Sequence, residues 1–550
     1  MGRRDSKSHR PAFGPAAAPA LRYAARKSPG ERRARRRFMP ARSSTTRVIT
    51  AILLVATALL AVGCAGPGPK LAPAAPAETK PINGGVERYY DMTGNGKLDY
   101  AETLSGDGQI TLLRFDTDED GNFEETVRRL RAGGPDDAAD RHLIILLDSI
   151  PYGVVLDAWN AGRFRLFPPP SRVISPFPVM TDLSFSEFFG VSPSPGAESE
   201  YYDGEKLRDG YDVYAAEGNA GWISHTDYHL IFFAHAVAYL WPDIWYDHEL
   251  GKIQRHFYRT THSPYVGYSV TTSGLGATQG RDGHQAALIK LDRFCQAVMF
   301  ELRGRLQITL MSDHGHCLVP SKRIPLSNLL EEFGYHVSKR LKGPQDVVVP
   351  EFGVVNYGGV YTQSPAQVAS DLVGVDGVDF ATYLDEDGAV VVQSHDGLAT
   401  IRYGDDGGRY ECRHGDPLKL LPVIEALRAE GKVGPDGFIS DAALFEATKE
   451  HLYPDALQRL WRTYHGLMLH PPDVMISVQD GWHCGSALMT KLVDIRAAHG
   501  SLNLDSSSGF AMTTNGSLPS VVRMQDLRGY LDRLGVHIPG PAAETESPAP

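Results

Sequence analysis

Residues 306–316 read Leu-Gln-Ile-Thr-Leu-Met-Ser-Asp-His-Gly-His. An apolar run that stops at a carboxylate and an imidazole is the pattern of a parallel strand buried on both faces, with polar groups at its carboxyl end. Residues 142–148, His-Leu-Ile-Ile-Leu-Leu-Asp, repeat the pattern and end on Asp148. Outward from these, 473–478 and 509–513 are further strand candidates, and helices are expected over 282–302, 364–373 and 417–429. Ser364 before Pro365 suits a helix start, as N-cap and first-turn proline. The alternation predicts an α/β fold with a doubly wound, mostly parallel sheet, whose ligands lie outside the strand carboxyl ends. Asp148, Asp313 and His314 fall at two such ends. Two carboxylates and an imidazole converging there make a borderline-soft metal site.

The chain has 550 residues, 42% hydrophobic and 22% charged, which excludes collagen-like, coiled-coil and wholly disordered readings. Residues 1–50 carry 14 Lys/Arg against 2 acids, and the other 500 carry 41 against 64. A body that acidic argues against nucleic acid as a structural partner. Five cysteines cannot form a disulfide scaffold.

Residues 48–62 are apolar and uncharged, preceded by Arg42 and Arg47 and followed by Gly63-Cys64. This is short for a membrane span and has the build of a secretory signal. It resembles a bacterial lipoprotein signal, which implies lipidation of Cys64 and a membrane-anchored, periplasmic or cell-surface protein; a plain signal peptide or N-terminal anchor is the alternative. Met39 is a plausible start as well as Met1. The expected organisation is a leader and signal over 1–64, a Pro/Ala-rich tether over 65–85, a calcium module over 86–135, a catalytic domain over 136–535 with a small α+β cap inserted at about 320–470, and a disordered tail over 536–550. An exported location lets Cys295, Cys317, Cys412 and Cys484 pair, in an order the sequence leaves open.

Asp91-Met-Thr93-Gly-Asn95-Gly96-Lys97-Leu98-Asp99-Tyr-Ala-Glu102 has the spacing of an EF-hand calcium loop. Oxygen side chains fall at positions 1, 3, 5, 9 and 12, with the Lys97 carbonyl at 7 and Gly96 at the sharp turn. A second loop offers Asp116, Asp118, Asp120, Asn122 and Glu124, but position 12 is Val127, so weaker binding or a different ligand set is expected there. Flanking helices are not obvious, and residues 110–115 alternate like a strand. The module therefore reads as a structural calcium staple. An acidic, Gly-rich linker is the plain alternative.

The strand end at Asp148-Ser149, the run Ser175-Pro-Phe-Pro-Val-Met-Thr181 and Ser312-Asp313-His314-Gly315-His316 together resemble the alkaline phosphatase superfamily, nearest its nucleotide pyrophosphatase/phosphodiesterase (autotaxin-like) branch, over roughly 141–535. The resemblance implies a phosphoric-ester hydrolase with one or two zinc-like ions acting on a small phosphate ester or diester. Asp148, Asp313, His314 and Thr181 would hold one ion, with Thr181 as nucleophile and Ser184 as fallback. His499, in His499-Gly-Ser-Leu, resembles the last ligand of the second ion. That second ion normally takes an Asp and a His as well, and here Ser273 and Ala277 stand in their places. Asp282 and His284 lie nearby at a different spacing. Three outcomes stay open: one ion supporting slow cleavage, a cation such as Arg281 replacing the second ion, or a site kept only for binding. The alternative function is thus a catalytically impaired, calcium-stabilised surface binding protein. His225, Asp227 and His229 form a further metal pattern, read more simply as the rim of an aromatic-rich helix. His316 reads as a phosphate contact or a packing residue, and His483-Cys484 as a weak candidate near the pocket.

Overall fold

The computed structural model of the chain describes residues 67–129, 141–198, 200–208 and 221–540. Cys64 and the apolar run before it lie outside the described residues. Among those described, no helix is long and apolar enough to cross a membrane.

The two apolar runs form the centre of a six-stranded sheet. Its order is Tyr265–Ser269, Arg141–Leu147, Leu306–Ser312, Ser508–Thr513, Ser171–Ile174, Val521–Arg523. Five strands run the same way and Ser508–Thr513 is reversed. The runs are continuous in sequence because both faces are covered. Leu143, Ile145 and Leu147 join one core with Ile308 and Leu310, while Ile144 and Leu146 face the other with Val266 and Met311. Helix Arg281–Glu301 packs on the first of these cores through Leu288, Leu291, Phe294 and Val298. The fold is α/β with a mostly parallel central sheet, as the alternation predicts.

The region expected as a cap has its own sheet. It has eight mostly antiparallel strands, from His336–Val337 to Gly407–His414, and one of its inner strands is Val474–Val478, which belongs here and not to the central sheet. Periodicity alone cannot assign a short buried strand to one of two sheets. The four described cysteines are all free.

The expected tether and the first residues of the expected disordered tail pack on the body. Within the Pro/Ala-rich tether, Lys70 N–H donates to Gln254 Oε1, Ala72 N–H to Arg293 O, and Arg255 reaches Pro67 O. The low-complexity backbone is fixed by side chains of the body, which composition does not reveal. At the other end Val536 and Ile538 are buried beside Leu527 and Leu531, so the body continues to residue 540.

The N-terminal module is a five-stranded antiparallel meander, Glu78–Ile82 through Glu125–Arg128, beginning inside the expected tether. Both acidic loops are strand connections, not helix–loop–helix units. Glu102, expected to close the first loop, sits on strand Tyr100–Ser105, 1% exposed, accepting hydrogen bonds from Tyr90 Oη at 3.1 Å and Tyr100 Oη at 3.2 Å. Burial pushes its carboxyl from 4.5 up to about 7. The folded state therefore keeps this proton over a pH range where the unfolded chain has lost it. The stability it contributes is complete below about 4.5 and is lost as pH rises towards 7, a change of up to ~3 kcal/mol. Glu102→Gln is expected to remove that slope: its urea midpoint should gain on wild type progressively between pH 5 and pH 8. A difference independent of pH would contradict this assignment.

Candidate active site

The site lies at the carboxyl edge of the central sheet. Strand Arg141–Leu147 delivers Asp148, strand Leu306–Ser312 delivers Asp313 and His314, and the loop after Ser171–Ile174 leads to helix Thr181–Phe189. Because Ser508–Thr513 is reversed, the loop before it, with His499, arrives at the same edge. The 175–181 loop is held between its neighbours: Ser175 Oγ donates to Asp313 O, Val179 N–H to Gly500 O, and His499 Nδ1 bonds Val179 O at 2.9 Å.

Asp148, Asp313 and His314 each present a ligand atom within 4.8 Å of the others, all buried. Thr181 Oγ1 lies 3.4 Å from His314 Nε2. His314 Nδ1 is engaged with Gly315 O at 3.0 Å, leaving Nε2 facing Asp313 Oδ2 at 3.3 Å. A ring nitrogen occupied by a carbonyl fixes the other as the free lone pair, the usual orientation of a ligating histidine. Asp313 Oδ1 accepts from the Ser149 and His314 amides, while its buried Oδ2 has no hydrogen-bond partner.

The electrostatics agree with that donor set. Burial raises both carboxyls to about 7, with the Asp313 charge adding to the effect on Asp148. Burial also holds His314 below the usual imidazole range, hence neutral. Two buried carboxylates, a neutral imidazole and an orphaned carboxylate oxygen fit a divalent cation, which would relieve their repulsion. Thr181 is the first residue of its helix, so unsatisfied amides and the positive dipole end favour an anion in front of its hydroxyl.

Ser149 ties the ligands together with a left-handed backbone, φ 62°. That conformation aims its amide at Asp313 and its hydroxyl at Asp148 Oδ1, 2.6 Å away, strain of the kind held at functional turns. Tyr268 Oη donates to Asp148 Oδ2 at 2.6 Å.

Where a second ion would be expected, the chain has built something else. Ser273 Oγ lies 3.0 Å from Ser149 Oγ and 2.7 Å from Tyr239 Oη; with the single Ser149 proton on Asp148, Tyr239 donates to Ser273 and Ser273 to Ser149, a chain of neutral hydroxyls ending on Asp148. His499 is close, its ring stacked on His314 with centroids 4.1 Å apart, but it does not join the ligand group. His284 Nε2 and His316 Nδ1 meet at 3.0 Å over Gly276, where a Cβ would lie 2.2 Å from His284 Nε2. Any larger residue at 276 would expel this pair. Burial lowers His284 to about 3 and also depresses His316, so both are neutral.

Other expectations do not converge here. Arg281 pairs with Asp157. Ser184 is fully buried within its helix. His225 stacks on Phe189, Asp227 bonds His262 and the Val266 amide, and His229 bonds Thr226. His483 bonds Ser321 and Thr490. The residues that sequence reasoning missed are Tyr239 and Tyr268, whose only signal is their place in aromatic-rich stretches.

No protein-family profile matches the chain, and no curated protein matches it. Among solved structures, it is similar to murine ectonucleotide pyrophosphatase/phosphodiesterase 5, with 11% identity and a TM-score of 0.38, covering 73% of this chain and 97% of that one. It is also similar to phosphonoacetate hydrolase from Sinorhizobium meliloti in complex with phosphonoformate, with 11% identity and a TM-score of 0.35, covering 75% and 97%. Similarity at that level says nothing about activity.

Proposed function

We propose that the protein is a metal-dependent phosphoric-ester hydrolase that uses Thr181 as nucleophile. One observation carries this reading: a buried Asp148–Asp313–His314 group with the Thr181 hydroxyl beside it, at a helix N-terminus. Asp148, Asp313 and His314 would hold a zinc-like ion, which when bound supplies the positive charge that lowers the pKa of a neighbouring hydroxyl and offsets charge on a phosphoryl group. Thr181 Oγ attacks phosphorus in line, the Thr181 O–P bond forms, the bond to the leaving oxygen breaks, and the leaving group departs as an alcohol. Water then cleaves the phosphothreonine and restores the hydroxyl. The Thr181 hydroxyl proton leaves to solvent as the oxygen attacks, the leaving oxygen takes a proton from solvent, and the first-turn amides orient the phosphoryl oxygens. Export through the 48–62 segment, with a lipid at Cys64, belongs to the same proposal and places the substrate outside the cytoplasm.

The test is turnover of bis(p-nitrophenyl) phosphate and p-nitrophenyl phosphate by zinc-supplied protein. Activity that chelation removes and Asp313→Asn lowers ~100-fold or more is expected. Equal rates for wild type and Asp313→Asn would overturn the proposal. The neutral chain through Ser273 favours a second reading, a surface protein that binds phosphate esters without cleaving them. Saturable binding of these esters with no product release would select it.

A further inference from the structure

The second acidic loop, the poorer match by spacing, is the one whose ligands converge. Asp116, Asp118, Asp120 and Glu124 each offer an oxygen, all within 4.8 Å of one another. Four like charges at that spacing repel strongly unless a cation lies among them. An independent observation points the same way. Asp116 is 5% exposed; its Oδ2 accepts from the Gly121 amide at 2.8 Å, and its buried Oδ1 has no partner at all. A buried carboxylate oxygen left without donor or counter-charge is costly. Gly121, at φ 94°, makes the sharp turn that brings its amide to Asp116.

Carboxylates of both loops accept from their own turn amides; in the second, Asp118 accepts from Asp120, Asp120 from Asn122 and Glu124 from Thr117, yet only there does a buried carboxylate keep an unpaired oxygen, Asp116 Oδ1. In the first loop, Asp91 accepts from the amides of Gly94, Asn95 and Gly96, and Asp99 from those of Met92 and Thr93. Asn95 and Lys97 reach across to Glu119, and Glu102 lies under the tyrosines. Both oxygens of its buried carboxylates, Asp99 and Glu102, are paired, and no three of its carboxylates converge.

Val127 explains why the second loop lacks a closing glutamate. It packs on Gly304 of the body, whose added Cβ would lie 3.0 Å from Val127 Cγ2. Beside it, Glu125 pairs with Arg303 and Arg305. Position 12 is thus used for docking the module onto the end of helix Arg281–Glu301.

We propose that this chain binds a single calcium ion at Asp116, Asp118, Asp120 and Glu124, that the first loop binds none, and that the ion stiffens the turn feeding the docked strand Glu125–Arg128. An all-oxygen, carboxylate-rich set selects calcium over magnesium, which demands a tighter octahedron. The test uses the full chain, stripped with EGTA and titrated with calcium chloride by isothermal calorimetry, with melting curves in calcium and in magnesium. Asp118→Asn and Asp120→Asn are exposed changes that keep the turn amides' acceptors and spare the fold. Binding at one ion per chain is expected, weakened at least ~10-fold by either variant, with the calcium-specific melting shift lost. Asp91→Asn should leave both unchanged. No binding, binding indifferent to Asp118→Asn and Asp120→Asn, or binding abolished by Asp91→Asn would each overturn the proposal.

Discussion

Thr181→Ala is expected to lower kcat on a phosphodiester by ~10³-fold or more, while Thr181→Ser stays within ~10-fold of wild type. The hydroxyl sits on the first residue of helix Thr181–Phe189, partly exposed, with Asp313 and His314 as its polar neighbours. Removing one oxygen there empties no core, so the urea midpoint should not move, and loss of rate reports chemistry alone. Acid-quenching wild type during turnover should leave a phosphoryl group on the peptide containing Thr181. Full activity in the alanine variant, or a phosphoryl group on Ser184 instead, would remove the nucleophile assignment.

Arg459→Ala is expected to be the most destabilising single change, costing ~3–5 kcal/mol. This guanidinium is 3% exposed on helix Ala456–Tyr464 of the cap. Its Nη1 donates to Pro454 O at 2.9 Å and Leu502 O at 3.3 Å; its Nη2 donates to Ser507 Oγ at 2.8 Å and Pro176 O at 3.4 Å. Pro176 lies on the loop leading to Thr181, and Leu502 and Ser507 on the loop that follows His499. One side chain thus joins the cap to both loops, and its removal takes the donor from the Pro454 and Pro176 carbonyls, while Leu502 O keeps the Ser507 hydroxyl. Lysine keeps the charge but not the planar fork, so Arg459→Lys should recover only part of the loss. Urea midpoints decide the matter. A shift worth less than ~1 kcal/mol for the alanine variant would show that the loops are held by other contacts.

How much of this was legible in the sequence depends on the distance over which each signal acts. The 142–148 and 306–316 runs announce the central sheet because a strand covered on both faces writes its burial into consecutive residues. Asp148, Asp313 and His314 follow, since each is tied to a strand end. Thr181 and His499 are tied to loops, and their approach depends on bonds such as Val179 N–H to Gly500 O that no local pattern encodes. The fate of the missing second ligand set was out of reach for the same reason. Ser273 looks like a lost carboxylate in sequence, whereas in the fold it links Tyr239 to Ser149. The carboxylates of the second acidic loop converge although its spacing is the poorer match, because spacing records only which oxygens are available. Only the fold decides where they turn, as it turns Glu102 onto Tyr90 and Tyr100.

The proposed chemistry requires one divalent ion at the Asp148–Asp313–His314 group. Elemental analysis of zinc-equilibrated, desalted protein tests it most directly. One zinc per chain in wild type and in Thr181→Ala, and close to none in Asp313→Asn, is the expected result. Zinc retained in full by Asp313→Asn, or missing from wild type, would contradict it.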